Sequence, residues 1–149
     1  MSVPARVSLA TLGVGDVARA TAFYSRLGWR LSPASIPGVV SFFHTAGGLL
    51  SLIATDDLAA DAGLPARLPP ANPATDFRGT MLAINVESRA SVDEALRAAV
   101  QAGAGLVKAG GATDWGGYLG YFTDPDGHLW EVTHNPGWPL DEAGVPRLP

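Results

Sequence analysis

Residues 120–136 read GYFTDPDGHLWEVTHNP and carry the clearest structural signal in the chain. The run Asp124-Pro125-Asp126-Gly127 has the composition of a tight turn, with proline at its second position and glycine where a left-handed backbone is favoured. Apolar, β-prone residues flank it on both sides, so the stretch predicts a hairpin of two strands. An EF-hand calcium loop would need more ligands and flanking helices, so we interpret the aspartates as turn residues.

Hydrophobic patterns predict five further strands and three helices. The strands are RVSLATLGV (6–14), VVSFFH (39–44), GGLLSLIA (47–54), TMLAINVE (80–87) and GLVKA (105–109). One helix is expected to begin after the N-cap Asp16 and end at Gly28, a second to begin at Ser91 and end at Gly103. The segment DDLAADA (56–62) predicts a short third helix.

The two long helices suggest an internal repeat. Asp16 and Gly28 are twelve residues apart, as are Ser91 and Gly103. Each interval follows a predicted strand and precedes further strand candidates, two named in the first module and three in the second, which we interpret as a βαβββ plan twice. An internal duplication is the simplest account of that plan.

The chain length of 149 residues is typical of a single domain. We expect one domain, 1–149, with a first module at about 6–62 and a second at about 79–136. Residues 64–77 contain four prolines among fourteen residues and predict a linker. Residues 137–149 form a C-terminal tail.

Composition excludes several classes of function. The chain has no cysteine, so disulfides, thiolate metal sites and cysteine nucleophiles are absent. A net charge of −4 with only 10 basic residues and no basic run argues against nucleic-acid binding. No stretch approaches the ~20 apolar residues of a membrane span, and no secretory leader is evident, so we expect a cytoplasmic protein. No phosphate loop, GxSxG or paired-histidine motif occurs.

Two groups of motifs resemble the vicinal oxygen chelate superfamily, which includes glyoxalase I, bleomycin-resistance proteins and extradiol dioxygenases. The matching stretches are LGVGD (12–16), FY (23–24), LGW (27–29) and GYFTDPDGHLWEV (120–132). The resemblance covers residues 6 to 136. It implies an α+β fold in which two tandem βαβββ modules form a curled-sheet cup, and it implies a homodimer.

In metal-dependent members, the resemblance implies four ligand positions. They fall here on Leu9, Ser51, Thr80 or Met81, and Glu131. Only Glu131 has a side chain suited to the task, whereas catalytic zinc sites and oxygenase triads use three protein ligands. We therefore expect no metal and no other cofactor.

The histidines do not complete a metal site in this interpretation. Side chains alternate across a strand, so Glu131 and Thr133 share one face. His128 and His134 point to the other face. His44 lies on a different strand and adds at most one ligand.

The remaining candidates predict a pocket for a flat or amphipathic molecule. A carboxylate in an apolar pocket has a raised pKa and can act as general acid or base, and it can equally accept a hydrogen bond from a ligand amine or hydroxyl. Aromatic residues of the loop 113–122 can stack on a flat ligand. The predicted ligand-contacting residues are Leu9, Thr11, Ser51, Met81, Trp115, Tyr118, Tyr121 and Glu131, with Glu131 also the candidate catalytic residue.

The first hypothesis is a metal-independent small-molecule-binding protein that sequesters its ligand, as the resemblance to bleomycin-resistance proteins implies. The second is a metal-free isomerase or lyase with Glu131 as general acid or base. A metal-dependent glyoxalase or dioxygenase is disfavoured by the missing ligands. A noncatalytic structural or interaction role stays open as a fourth alternative.

Overall fold

The computed structural model describes residues 2–66 and 76–149, so most of the predicted linker 64–77 lies outside the described residues. The chain divides into two compact units, Met1–Arg67 and Leu68–Pro149. Each unit contains one open sheet and one long helix. Within the described ranges, no helix combines the length and apolar character that crossing a membrane requires.

The first unit contains three strands and two helices. In chain order they are β1 (Leu9–Val14), α1 (Val17–Arg26), β2 (Val40–Thr45), β3 (Gly48–Ala54) and α2 (Thr55–Asp61). The sheet order is β1-β3-β2. Strand β1 runs parallel to β3, and β2 runs antiparallel to β3.

The second unit contains four strands and one helix. In chain order they are β4 (Met81–Asn85), α3 (Arg89–Ala102), β5 (Gly105–Ala112), β6 (Tyr118–Thr123) and β7 (Leu129–His134). The sheet order is β4-β7-β6-β5. Strand β4 runs parallel to β7, and the other pairs are antiparallel.

The predicted α+β fold class with two curled modules is confirmed. Both units follow one plan, because the strand before the long helix pairs in parallel with the last strand of its own sheet. The first module differs in detail. The third strand that the βαβββ plan requires after α1 is reduced to isolated bridges, Leu31 with Phe43 and Ile36 with Val40.

The predicted tight turn in the hairpin of β6 and β7 is also confirmed. The Asp124 carboxylate oxygen Oδ1 accepts hydrogen bonds from the backbone N–H groups of Asp126 at 3.0 Å and His128 at 2.9 Å. Gly127 has φ of 83°, a left-handed conformation that glycine adopts without a steric penalty. Asp124 is buried, and these two bonds satisfy its Oδ1.

The predicted N-cap of α1 is confirmed, whereas its C-cap lies one residue before the predicted Gly28. The Asp16 side chain accepts a hydrogen bond from the backbone N–H of Arg19 at 3.0 Å, so Asp16 has a structural role at the helix start. Helix α1 ends at its C-cap Leu27, and Gly28 follows with φ of 87°.

The predicted start of the second long helix is wrong. Helix α3 begins after the N-cap Ser88, whose hydroxyl accepts from the backbone N–H of Ser91 at 3.0 Å. Two serines three residues apart both fit a cap, and the first one has the extended backbone that a cap requires. Gly103 ends the helix in a left-handed conformation, as predicted. The equal twelve-residue spacing is therefore coincidental, and the shared strand pairing is the evidence for a duplicated plan.

Replacing Ser88 with alanine is expected to lower the free energy of unfolding by about 1 kcal/mol, since the N-cap bond is lost. Ser91→Ala is the matched control. It removes only the contact of the Ser91 hydroxyl with Ser88 and keeps the cap, so its effect is expected to be smaller. Urea unfolding followed by circular dichroism measures both. An equal or larger loss in Ser91→Ala would contradict this assignment of the cap.

One face of each sheet packs against its long helix. In the first unit, the Thr21 hydroxyl of α1 lies 2.7 Å from that of Ser41, so Ser41 points toward α1. In the second unit, a Cβ added to Gly120 would lie 2.5 Å from Leu96 Cδ1 of α3. We call the other face of the first sheet the face opposite α1, and the other face of the second sheet the face opposite α3.

Candidate functional site

The strand register places four side chains in one row across the second sheet. Glu131 on β7 pairs with Ala83 on β4 and with Tyr121 on β6, and Tyr121 pairs with Lys108 on β5. The neighbouring residue Phe122 is buried on the α3 side. Because side chains alternate, Tyr121 and Glu131 lie on the face opposite α3.

Tyr121 and Glu131 form a direct hydrogen bond. The phenol O–H donates to Glu131 Oε2 at 2.6 Å. Two residues directly opposite each other in an antiparallel pair have Cβ atoms roughly 5 Å apart, which lets these side chains meet. The carboxylate favours the protonated phenol by accepting its proton in a hydrogen bond, and this raises the pKa of Tyr121 to about 12.

This pair is the most chemically specific feature of the face. Both residues are partly exposed, so solvent or a ligand can approach them. The hydrogen bond restrains the carboxylate, and an ionised carboxylate offers only acceptor lone pairs. The arrangement can therefore anchor a ligand group that donates a hydrogen bond.

Thr133 follows Glu131 on the same face, and its side chain is 5% exposed. Its Oγ1 is buried and has no hydrogen-bond partner among the described residues. A buried polar group without a partner costs roughly 1–3 kcal/mol. Pairing along the sheet places Asn85 of β4 and Leu119 of β6 on either side of it.

Thr133→Val is expected to raise the free energy of unfolding by about 1 kcal/mol, because valine keeps the shape and removes the unpaired hydroxyl. The control is Thr21→Val. The Thr21 hydroxyl donates to the Val17 carbonyl at 2.6 Å and contacts Ser41, so its loss is expected to cost about 1–2 kcal/mol. Equilibrium unfolding in urea compares the two. Clear destabilisation by Thr133→Val would show that its hydroxyl is paired in solution.

The first sheet has an equivalent row on the face opposite α1. Ser51 on β3 pairs with Thr11 on β1 and with Phe42 on β2. The Ser51 hydroxyl donates to Thr11 Oγ1 at 2.8 Å. By position in the shared strand plan, Ser51 corresponds to Glu131. The predicted contacts Thr11 and Ser51 therefore adjoin each other.

Leu9 and Met81 hold equivalent positions in their own sheets. Leu9 pairs with Leu49. This pair lies two residues before the Thr11–Ser51 pair along the strands and on the same face. Met81 pairs with Leu129, two residues before the Ala83–Glu131 pair along the strands. Both side chains are about two-fifths exposed, at 41% each, so they add apolar surface to their faces.

Tyr118 lies on the opposite side of the second sheet from Glu131. Its hydroxyl donates to the Asp93 carboxylate of α3, at 3.0 and 3.2 Å from the two oxygens. The Arg89 guanidinium lies 5.6 Å from the centre of its ring. The hydrogen bond to Asp93 raises the pKa of Tyr118. Tyr118 therefore supports α3 and lies apart from Glu131, so its contact with a ligand stays a prediction.

Strand alternation alone predicts that Tyr118 and Tyr121 lie on opposite faces of the sheet, because they are three positions apart on one strand. The partners Asp93 and Arg89 were missed because they lie on a helix with no motif that marks them. Trp115 lies in the loop between β5 and β6 and is 56% exposed. It stays a predicted stacking residue.

The residues present do not fit the family's metal site. Across residues 2–66 and 76–149, no three His, Asp or Glu side chains come close enough together to hold a metal ion. Leucine and methionine occupy two of the implied positions, Leu9 and Met81. The His134 ring is engaged, with Nδ1 3.1 Å from the Val86 carbonyl oxygen.

Comparison with known proteins agrees with this fold. The family model described as Glyoxalase/Bleomycin resistance protein/Dioxygenase superfamily matches residues 6–132. A crystal structure of a glyoxalase-related enzyme from Fulvimarina pelagi is 30% identical, with a TM-score of 0.83 over 97% of this chain and 99% of that chain. None of the curated proteins matches the chain.

Two further solved structures have informative names. TioX from Micromonospora sp. ML1 is 26% identical, with a TM-score of 0.60 over 85% of this chain and 95% of that one. Lactoylglutathione lyase from Agrobacterium tumefaciens is 22% identical, with a TM-score of 0.67 over 93% of this chain and 100% of that one, a likeness of fold alone. The family match over most of its length shows that the chain belongs to the Glyoxalase/Bleomycin resistance protein/Dioxygenase superfamily.

Proposed function

We propose that this protein binds a small aromatic or amphipathic molecule without a metal ion and sequesters it. The observation that carries the proposal is the Tyr121–Glu131 hydrogen bond on a partly exposed sheet face. This hydrogen bond pairs the Glu131 carboxylate with a tyrosine side chain at the position where metal-dependent relatives would need a metal ligand. Leu9, Met81 and Ser51 at the corresponding positions support the same conclusion, because they add apolar surface and a hydroxyl instead of metal ligands.

The remaining predicted contacts are assigned to the sheet face on which each residue lies. In the second unit, Met81, Tyr121 and Glu131 would contact the ligand, and Trp115 would stack on it. In the first unit, Leu9, Thr11 and Ser51 would line a ligand-contacting face opposite α1. We propose that residues 1–149 form a single domain and that the protein is cytoplasmic and acts as a homodimer.

A metal-free isomerase or lyase is the second candidate, with Glu131 as general acid or base. The 2.6 Å contact favours it, because a proton can pass directly between carboxylate and phenol. The raised pKa of Tyr121, about 12, weighs against the phenol as a proton donor near neutral pH. We favour binding, because it requires only the acceptor oxygens that the pair presents and no proton transfer.

The test uses metal-stripped protein in chelator and a panel of planar amphipathic compounds, screened by thermal shift. We expect at least one compound to stabilise the metal-free protein. Glu131→Gln separates the two candidates, since binding is expected to weaken yet survive, whereas proton-transfer turnover would largely vanish. The proposal fails if compounds stabilise the protein only after zinc, nickel, manganese or iron is added.

A further inference from the structure

The Tyr121–Glu131 pair has only acceptors left to offer a ligand. A phenol has one proton, and Tyr121 donates it to Glu131. Its pKa of about 12 keeps that proton in place at neutral pH. What remains are lone pairs on the phenol oxygen and on the carboxylate, together with one negative charge.

The surroundings of the pair leave the carboxylate open to a ligand. Ala83, next to Glu131 in the row, is exposed and carries only a methyl group, so it leaves space beside the carboxylate. Thr133, the next residue on this face of β7, directs no described hydrogen bond to Glu131. A donor group can approach from the β4 side without displacing Tyr121.

Two arginines of the second unit are held by other groups, and Lys108 belongs to the row of Glu131. Arg78 donates to the Asp126 carbonyl oxygen at 2.9 Å and so is held at the turn before β7. Arg89 lies over the Tyr118 ring on the α3 side. Lys108 ends the row on the edge strand β5, exposed and two strand spacings from Glu131, about 10 Å.

We infer that this site selects ligands that carry hydrogen-bond donors, with organic ammonium or amidinium groups preferred, and discriminates against carboxylates and phosphates. The inference rests on the proposed function, because it assigns the chemistry of the same anchor. A donor group satisfies the acceptors and pairs with the charge. An anionic group would meet two acceptors and a like charge, with no donor in the pair to compensate.

The experiment compares two probes of the same aromatic body, 1-naphthylmethylamine and 1-naphthoate, by isothermal titration calorimetry in chelator at pH 7. We expect the amine to bind at least tenfold more tightly than the carboxylate. In Glu131→Gln, which keeps the size and removes the charge, the preference is expected to fall to within about threefold. Lys108→Met is the matched control, expected to keep the preference for the amine.

The outcomes separate the two claims. Equal or tighter binding of naphthoate overturns the inference and leaves the proposed function standing, and loss of that binding in Lys108→Met would name the lysine as an anion anchor. A preference for the amine that persists in Glu131→Gln also overturns the inference, because the selectivity would then come from elsewhere. Binding of neither probe up to its solubility limit contradicts the proposed function, and the inference falls with it.

Discussion

Replacing Gly120 with alanine is expected to lower the free energy of unfolding by about 3 kcal/mol, at the upper end of overpacking effects. A Cβ here would lie 2.7 Å from the Lys108 carbonyl oxygen and 3.0 Å from the Gly110 backbone nitrogen, besides the 2.5 Å approach to Leu96. Two of the three contacts are backbone atoms of β5, which cannot move without disturbing its pairing with β6. The pairing already shifts register on both sides of Lys108.

Gly111→Ala on the neighbouring strand is the control. A Cβ at Gly111 would meet nothing within 4 Å, and its backbone is not left-handed. We expect a change within about 0.5 kcal/mol, as for ordinary surface substitutions. Urea unfolding monitored by circular dichroism gives both values. Similar stability of the two variants would contradict the close packing of β6 against β5 and α3.

The phenol of Tyr121 is expected to titrate near pH 12, and Glu131→Gln is expected to return it toward the ordinary value of about 10. The cause is the hydrogen bond to the carboxylate, followed by partial burial and the negative charge of Glu131. Ultraviolet absorbance of tyrosinate, taken as wild type minus Tyr121→Phe, isolates this one phenol. A midpoint that does not respond to Glu131→Gln would contradict the bond.

The raised pKa of Tyr121 also makes the free energy of unfolding depend on pH. The folded-state pKa lies above the unfolded value, so the unfolded chain loses its proton first as pH rises. The contribution of the pair is fully present below about pH 10 and is lost between about pH 10 and 12. Tyr121→Phe is expected to remove this pH dependence, which urea unfolding at pH 9 and pH 11 would measure.

Local chemistry made several elements of the fold predictable. The Asp124–Gly127 turn, the Asp16 cap and the Gly103 helix end all depend on residues whose backbone preferences are strong. Ser88 and Ser91 were ambiguous, because both serines can cap and only the chain direction before the helix decides. The prediction of a full strand after α1 is wrong, because pairing there is reduced to the bridges at Leu31 and Ile36. No local sequence pattern indicates this loss of pairing.

The candidate site was predictable in part. Glu131 was singled out by the resemblance, and its role stays a prediction. Strand alternation predicted that Glu131 and Thr133 share a face, as they do in β7. Its partner Tyr121 required the register of β6 against β7, which depends on the turn geometry and cannot be counted from composition. The buried Thr133 hydroxyl is visible only once neighbouring strands are in place.

Metal binding by the wild-type protein decides between metal-independent and metal-dependent function. Tag-free protein purified without chelator would be assayed by elemental mass spectrometry, then incubated with zinc, nickel, manganese or iron, desalted and assayed again. We expect far less than one metal ion per chain in every sample, because the described residues contain no cluster of three His, Asp or Glu side chains, and Glu131 is hydrogen-bonded to Tyr121. Near-stoichiometric metal that is lost in Glu131→Gln would contradict it and direct attention to metal-dependent glyoxalase or dioxygenase chemistry.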